Sequence, residues 1–267
     1  MKIERVLMCE PTYFDIEYVI NPWMDTNNRV DKKRARAQWE NVRDVLTRLG
    51  VAIEYIAPEP DLPDMTFIGD AGMVNGKTFA ASHFRHHQRQ REAAVTSEWM
   101  RARGYNVVQA PEDVFFEGLG DVIYSDTGII IGHGPRSSPE SVEFVKQIFP
   151  GLRVDGEVHL CDPWFYHTAL AAALVGEDKI IYYSPALTAE SRKFLESKFE
   201  QRIEIGERDA KEFMVCNNIV VGRHILVHGC TRETERSLGG WGYDVIRCEA
   251  DEFLKSGGSV RCLILNL

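Results

Sequence analysis

Acidic, imidazole, amide and thiol side chains recur at equivalent points of a repeat in this 267-residue sequence. They stand at, or next to, the starts of five predicted strands: Asp70, Asp121, His167, Asn217 and Cys262. A carboxylate that is buried without a partner is costly. A thiol is a nucleophile, and an imidazole moves protons near neutral pH. We therefore interpret these residues together as a ligand site, although each one alone also fits a turn cap or a small core residue.

The elements that must position these residues form a repeat of strand, tight turn, strand and helix. The predicted strand starts, at positions 70, 121, 168, 216 and 261, are separated by 51, 47, 48 and 45 residues. Apolar periodicity predicts helices over residues 32–49, 91–103, 138–148, 188–199 and 231–238, each followed by a short strand or turn. Turns are predicted at 75–76, 125–128, 176–178 and 222–223, and the Asn-Gly pair of the first is the strongest hairpin signal.

The ends of the chain are expected to meet in the last repeat. Residues 260–265 are predicted to form a strand that pairs with residues 5–9, so that the structure closes on itself. Propeller repeats of this length are usually all-β, but here each repeat contains a helix. We predict one α/β domain over residues 1–267 with pseudo-fivefold repetition. An ordinary mixed α/β sheet with chance spacing is the alternative.

Composition argues against several classes of function. The 31 Lys and Arg residues against 40 Asp and Glu give a net charge of −9, which disfavours a nucleic-acid partner and suits a cationic small molecule. No apolar run approaches the roughly 18 residues of a membrane span, and the N-terminal apolar stretch is too short for a signal peptide. The six cysteines form no C-x-x-C pair, so we expect reduced thiols and a cytoplasmic protein.

Three stretches carry the most specific signals: residues 62–72 (LPDMTFIGDAG), 116–121 (FEGLGD) and 253–263 (FLKSGGSVRCL). They resemble, in that order, the first substrate-binding stretch, the acidic motif and the C-terminal nucleophile motif of the guanidino-group modifying, or pentein, superfamily. That superfamily includes dimethylarginine dimethylaminohydrolases, arginine deiminases, arginine dihydrolases and amidinotransferases. The resemblance implies a five-bladed α/β propeller, in agreement with the repeat.

The resemblance also implies a chemistry that suits these residue types. A guanidinium is a planar cation with five N–H donors, and its delocalised charge protects its carbon from attack. Asp64, Asp70 and Glu117 would hold the cation, Cys262 would attack as a thiolate, and His167 would act as general acid and base. An amine would leave to give a covalent thiouronium, which water then resolves. A free thiol has a pKa of about 8.5, so the bound cation or the imidazole must favour its ionisation.

Two histidines compete for the general acid and base. His167 directly precedes a predicted hairpin strand, as Asp70 and Asp121 open theirs, whereas His159 lies eight residues upstream. We therefore predict His167 and interpret His159 as structural. The other histidine pairs lack further ligands at metal-binding spacing, and no complete dinucleotide fingerprint is present. We expect no metal and no organic cofactor.

Recognition of the rest of the substrate also rests on the resemblance. It implies that Arg89 and Arg136 hold a substrate carboxylate and that Asp121 contributes to substrate binding. The substrate would then be an α-amino acid with a distal guanidinium. The aromatic-rich segment 13–30 is predicted to be either a specificity lid or a packed surface loop.

Few positions distinguish the reactions within the superfamily. Residues 14–23 resemble arginine dihydrolases, but that branch has an asparagine where Asp70 stands; deiminases have an aspartate where Ala169 stands. Asp64 and Asp70 together favour a dimethylarginine dimethylaminohydrolase. We predict a cysteine hydrolase that forms citrulline from arginine or an N-methylated arginine. Amidino transfer to an amine, hydrolysis on to ornithine, non-catalytic binding of a guanidino ligand and assembly into a homo-oligomer stay open.

Overall fold

The computed structural model describes residues 3–125, 128–176 and 178–267, and these form five three-stranded sheets of one design. In each sheet an inner strand pairs antiparallel with a middle strand, which pairs parallel with an outer strand. From inner to outer, the sheets are β3 (Gly72–Asn75), β4 (Thr78–Ala81) and β5 (Asn106–Gln109); β6 (Val122–Tyr124), β7 (Ile129–His133) and β8 (Val154–His159); β9 (Ala172–Leu174), β10 (Lys179–Tyr182) and β11 (Gln201–Glu204); β12 (Ile219–Val221), β13 (His224–Val227) and β14 (Asp244–Arg247); and β15 (Leu265–Asn266), β1 (Arg5–Cys9) and β2 (Ala52–Ile56).

The two ends of the chain build one sheet together, as the sequence predicts. The last strand, β15, pairs with β1 through Val6 opposite Asn266 and Leu7 opposite Leu265. Neighbouring sheets touch through their inner strands, as between β15 and β3 or β6 and β9. The prediction of a five-bladed α/β propeller is confirmed. The predicted turns at 125–128 and 176–178 include positions 126, 127 and 177, which lie outside the described residues.

A helix connects the middle strand of each sheet to its outer strand. These five helices are α1 (Lys32–Arg48), α2 (His87–Ala102), α3 (Ser141–Ile148), α5 (Ala189–Lys198) and α7 (Arg232–Gly240), and the shorter ones are α4 (Thr168–Ala171), α6 (Glu207–Lys211) and α8 (Asp251–Leu254). Thr188 and Thr231 cap α5 and α7 through their side chains, which explains why these starts are predictable. Helix α2 begins four residues before its predicted start, and Ser138 and Pro139 lie in a turn ahead of α3.

The predicted starts of the inner strands are wrong by a few residues, and the error matters for the site. Short helical turns precede the strands: Ile68–Ala71, Gly118–Gly120, α4 and Val260–Leu263. Residues 260–265 are therefore not a strand throughout, because only Leu265–Asn266 pairs. The turns pack closely around the axis. A Cβ on Gly69 would lie 2.7 Å from the carbonyl oxygen of Ile264, so only glycine allows this approach.

Apolar packing holds the helices on the sheets. In α1 one face is buried, with Ala35, Trp39, Val42 and Leu46 fully enclosed. Burial of a side chain such as Val42 or Leu46 stabilises the fold by roughly 1.5–3 kcal/mol relative to an exposed position. In the described part of the chain, no helix is long and apolar enough to cross a membrane. Among the described residues, no group of three or more His, Cys, Asp or Glu side chains is arranged so that it could hold a metal ion.

A stability prediction follows from the contact between α6 and α7. Asp209 is 3% exposed and accepts hydrogen bonds from the Thr231 backbone and from the hydroxyls of Thr231 and Thr234, each at 2.7 Å. We expect Asp209→Ala to lower the free energy of unfolding by about 3 kcal/mol, because it leaves buried donors without partners. Urea denaturation measures this. Glu207→Ala on the same helix, at an exposed side chain, should leave the free energy of unfolding nearly unchanged; equal effects of the two substitutions would contradict the prediction.

Candidate active site

The turns that precede the inner strands meet at one end of the propeller, beside a small, narrow cavity. Cys262, in the turn Val260–Leu263, is 7% exposed and lines this cavity. Its other walls come from several blades and from segment 13–30: Ile20, Asn21, Met24, Asp64, Phe67, Asp70, Arg89, Arg136, Tyr166, Ser256 and Gly258. The structure thus brings Cys262 together with four other residues predicted for the site.

A carboxylate, an imidazole and a guanidinium form a buried group next to the cavity. The Oε2 atom of Glu117 lies 2.9 Å from His167 Nε2 and accepts a hydrogen bond of 3.0 Å from Arg136 Nη1. On its other side, His167 Nδ1 is 3.9 Å from Asp70 Oδ1. Gly120 makes room for the ring, because a Cβ there would lie 2.8 Å from Nδ1. The imidazole is therefore held between two carboxylates in a fixed orientation.

The charges of this group determine its protonation. Burial alone would raise the pKa of Glu117, but the charge of Arg136 and the hydrogen bond with His167 outweigh it and lower this pKa well below the usual range. Burial would lower the pKa of His167, yet the charges of Asp70 and Asp121 and the hydrogen bond with Glu117 raise it. The geometry therefore favours an ionised carboxylate paired with an imidazolium.

Asp70 and Arg89 form an ion pair at the cavity wall. Arg89 Nη1 donates to Asp70 Oδ2 at 2.8 Å, and the remaining N–H groups of Arg89 reach Glu92 and two backbone carbonyl oxygens. Its guanidinium also lies 4.5 Å from the centre of the Phe84 ring. Arg89 thus lines the cavity, with protein groups around all its nitrogen atoms.

Asp64 links the cavity wall to segment 13–30. It accepts hydrogen bonds from Tyr18 at 2.8 Å and from Ser256 at 3.1 Å. Burial raises the pKa of Asp64, although the charge of Arg89 lowers it in part. The Asn21 side chain donates to the Ser256 carbonyl oxygen at 3.0 Å. This segment therefore packs over the cavity and provides part of its lining.

The Cys262 thiol lies in a negative, desolvated environment. Burial and the charge of Asp70 raise its pKa to about 12. Three weaker effects lower this pKa: a hydrogen bond with the Ser259 backbone, a hydrogen bond of 3.2 Å from Asn217 Nδ2 to the sulfur, and the charge of Arg261. At neutral pH this thiol is protonated. A cation placed between it and the carboxylates would lower the pKa, because it would compensate the charge of Asp70.

Two other residues discussed for the site lie outside the cavity lining. Asp121 accepts hydrogen bonds from Ser137 at 2.6 Å and from the backbone and hydroxyl of Thr168 at 2.9 and 3.0 Å. It therefore anchors the turn after His167, and its charge raises the pKa of that imidazole. His159 is exposed and stacks on His133 with ring centres 4.8 Å apart.

Sequence reasoning missed several residues that complete the site. Tyr18, Glu92, Tyr166 and Ser256 bond to, or lie among, the residues above. Tyr166 donates to the Gly257 carbonyl oxygen at 2.6 Å, and the Arg136 guanidinium lies 4.6 Å from its ring centre. The spacing of Arg89 and Glu92 was a usable signal, because residues three apart share one helix face. No local pattern distinguishes the other three from ordinary core and loop residues.

Several known proteins are similar to this chain over most of its length. Residues 10–267 match the family model described as N,N dimethylarginine dimethylhydrolase, eukaryotic. The bifunctional arginine dihydrolase/ornithine cyclodeaminase AgrE of Nostoc sp. is 33% identical over 98% of this chain, and the match spans 38% of that protein's length. The N(G),N(G)-dimethylarginine dimethylaminohydrolase of Mycobacterium tuberculosis is 30% identical over the whole chain and 86% of its own length.

A solved structure supports the fold over its whole extent. The N-terminal domain of ArgZ, in an asparagine-to-serine variant covalently bound to a reaction intermediate, is 31% identical. It superposes with a TM-score of 0.93 and covers 98% of this chain and 96% of that domain. The chain spans well under half the length of the bifunctional relatives that it matches. By the extent of these matches, the chain belongs to the N,N-dimethylarginine dimethylhydrolase family of the guanidino-group modifying, or pentein, superfamily.

Proposed function

We propose that this protein hydrolyses a C–N bond of a guanidino amino acid, arginine or an N-methylated arginine, to give citrulline and ammonia or an amine. The observation that carries the proposal is the position of Cys262, which lines a cavity walled by the buried carboxylates Asp64 and Asp70. Relatives named for dimethylarginine and arginine hydrolysis, and an ArgZ variant with a covalently bound intermediate, support it.

The charge balance of the site suits a cationic substrate. Five buried carboxylates (Asp64, Asp70, Glu92, Glu117 and Asp121) surround two buried arginines and one imidazole. A guanidinium bound at Asp64 and Asp70 would offset part of this negative charge and keep its N–H donors satisfied. Rigid fork-shaped hydrogen bonds would also orient its carbon toward the sulfur.

Binding of the cation and activation of the nucleophile are then one event. The bound guanidinium lowers the pKa of Cys262, whose proton leaves to solvent, and the thiolate adds to the guanidinium carbon. The C–N bond to the departing amine breaks as the His167 imidazolium gives its proton to that nitrogen. The neutral imidazole next takes a proton from water, which adds to the thiouronium carbon. The C–S bond breaks, leaving the carbonyl of citrulline and restoring the thiol.

The surroundings of Arg136 suit the carboxylate end of an amino acid. Its guanidinium lies between Tyr166 and the Ile20 carbonyl oxygen, at the part of the cavity formed by segment 13–30.

We further propose that residues 1–267 act as one catalytic unit. A cytoplasmic setting fits the six cysteines, none of which is in a disulfide.

Arginine dihydrolase activity is the second candidate, because the bifunctional relatives AgrE and ArgZ carry that name. It would hydrolyse the same bond type twice and release ornithine. The aspartate at position 70 argues against this activity, because the arginine dihydrolase branch that the chain resembles has an asparagine at that position. The fixed negative charge of an aspartate favours a cationic guanidinium over a neutral ureido group, which can only donate hydrogen bonds to it.

The first prediction concerns substrate and product. Incubation with arginine and with N-dimethylated arginine should form citrulline from at least one of them, and Cys262→Ala should abolish turnover because the nucleophile is lost. Amino-acid analysis with mass spectrometry measures the products. The exposed Cys161 supplies the matched control, and Cys161→Ala should retain full activity.

Other products would redirect the assignment. Ornithine as the final product would replace the proposal with dihydrolysis, and a new guanidino compound in the presence of an amine would replace it with amidino transfer. No turnover of either substrate would contradict it.

The second prediction concerns the general acid. His167→Asn should lower kcat by about a hundredfold or more, because no group then protonates the leaving nitrogen. In the natural protein kcat should fall as pH rises through the pKa of His167, which lies above the ordinary value of about 6.5. A pH–rate profile measures both effects. His159→Asn should leave the rate unchanged, and comparable losses in the two variants would refute the assignment.

The third prediction separates thiol ionisation from cation binding. Asp70→Asn should lower the pKa of Cys262 and speed its alkylation by neutral iodoacetamide, because the charge of Asp70 raises that pKa. The same substitution should raise KM for the guanidino substrate by about tenfold or more. Alkylation rates and steady-state kinetics measure the two. Asp113→Asn, at an exposed aspartate, is the control; slower alkylation of Asp70→Asn would show that the electrostatic argument is wrong.

A further inference from the structure

A second cavity, which we call the axial cavity, lies among the inner strands of four blades. Strands β6, β9, β12 and β15 border it, and its volume is about 260 Å³. The hairpin residues Gly176 and Gly222 also line it, so it lies toward the end of the propeller opposite to the turn that carries Cys262. It shares no lining residue with the active-site cavity, and the proposed mechanism does not use it. Much of its wall is apolar and includes Ile3, Ile123, Leu174 and Val220.

One cationic side chain reaches the axial cavity. Among the described residues that line it, Arg261 is the single charged one. Its Nη2 donates to the Val122 carbonyl oxygen at 3.0 Å, and none of the ion pairs in the described part of the chain includes it. Burial lowers the pKa of Arg261, and the charge of Asp70 on the active-site side only partly offsets this. A guanidinium has five N–H donors, so most of those on Arg261 have no protein acceptor among the described residues.

A second polar group of the axial cavity also lacks a partner. The Oδ1 atom of Asn266, on β15, is enclosed and accepts no hydrogen bond from any described residue. Enclosed polar atoms in folded proteins normally have partners. An amide carries an acceptor and two donors, and either end can face a ligand when the group turns over. Arg261 and Asn266 therefore offer a ligand both a positive charge and an amide.

The chemistry of the wall selects the ligand. A guanidinium repels cations and pairs through its planar fork with the two oxygens of a carboxylate. The apolar part of the wall accommodates a short hydrocarbon chain, which an inorganic anion does not have. We propose that the axial cavity binds a small monocarboxylate with a short apolar chain, and that its carboxylate pairs with Arg261. This site is separate from the proposed guanidino site and goes beyond the proposed function.

The axial site is coupled to the nucleophile through one turn. Arg261 directly precedes Cys262, and its backbone N–H donates to Asn217 Oδ1 at 3.1 Å. Asn217 Nδ2 donates in turn to the sulfur at 3.2 Å. The charge of Arg261 lowers the pKa of the thiol, against the larger effect of burial. A carboxylate bound to Arg261 neutralises that charge, so it makes the thiolate scarcer and the thiol slower to react.

The test measures how fast neutral iodoacetamide alkylates Cys262, with peptide mapping by mass spectrometry to identify the cysteine. Butyrate is the probe, butyramide is its neutral control, and sodium chloride keeps the ionic strength constant. Saturating butyrate should slow the alkylation by about threefold or more, because it neutralises Arg261. Butyramide should leave the rate unchanged. Because no guanidino substrate is used, the result is independent of the proposed function.

Two variants locate the effect. Arg261→Met should react more slowly than the natural protein without butyrate, and butyrate should not slow it further. Asn266→Asp adds a negative charge to the axial cavity and should raise the butyrate concentration needed for half the effect by about tenfold or more, which serves if Arg261→Met is unfolded. Asn75→Asp, at an exposed hairpin position, is the matched control and should not change that concentration. Thermal unfolding reports whether each variant folds.

Three results would overturn the inference. The first is that butyrate does not slow alkylation of the natural protein, or slows it no more than butyramide does. The second is that butyrate slows Arg261→Met as strongly as the natural protein, which would place the carboxylate in the active-site cavity. The third is that Asn266→Asp responds to butyrate as Asn75→Asp does.

Discussion

Compensation of buried negative charge is the constraint on which the site depends. Asp64, Asp70 and Glu117 lie within the protein at one end of the propeller, and ionised carboxylates in such a place need cationic partners. Arg89 and Arg136 supply part of that charge, and the imidazolium of His167 supplies more. The remaining negative charge faces the cavity. It keeps the neighbouring thiol protonated and selects a cation as the group that completes the balance.

The propeller explains how residues so far apart in sequence reach one point. Each blade begins its inner strand near the axis, and the turn ahead of that strand carries the polar side chain. Small residues make the approach possible: Gly120 faces the His167 ring, and Gly69 lies under the Ile264 carbonyl. The pairing of β15 with β1 closes the ring and holds the turn that carries Cys262. Closure of the fold and assembly of the site therefore depend on the same contacts.

The sequence predicts those features that repeat or that follow local rules. The five-fold repeat, the pairing of the two chain ends and the starts of the helices at Thr188 and Thr231 are all visible in it. The position of Cys262 in a turn was not predictable, because residues 260–265 have the apolar pattern of a strand and only the packing around the axis makes them turn. Tyr18 and Ser256 were equally hidden, since their partner Asp64 is distant in sequence. Local propensity determines where a helix begins, whereas long-range packing determines which residues meet in the site.

We expect the cavity beside Cys262 to recognise the positive charge of its ligand. The most direct measurement is calorimetric titration of the Cys262→Ser variant with arginine, N-dimethylated arginine and citrulline. Citrulline has the same backbone and chain length as arginine but carries a neutral ureido group. We expect at least one of the cationic ligands to bind tenfold or more tightly than citrulline, in line with the loss of about one charge-assisted hydrogen-bond pair. Equal or tighter binding of citrulline would contradict it.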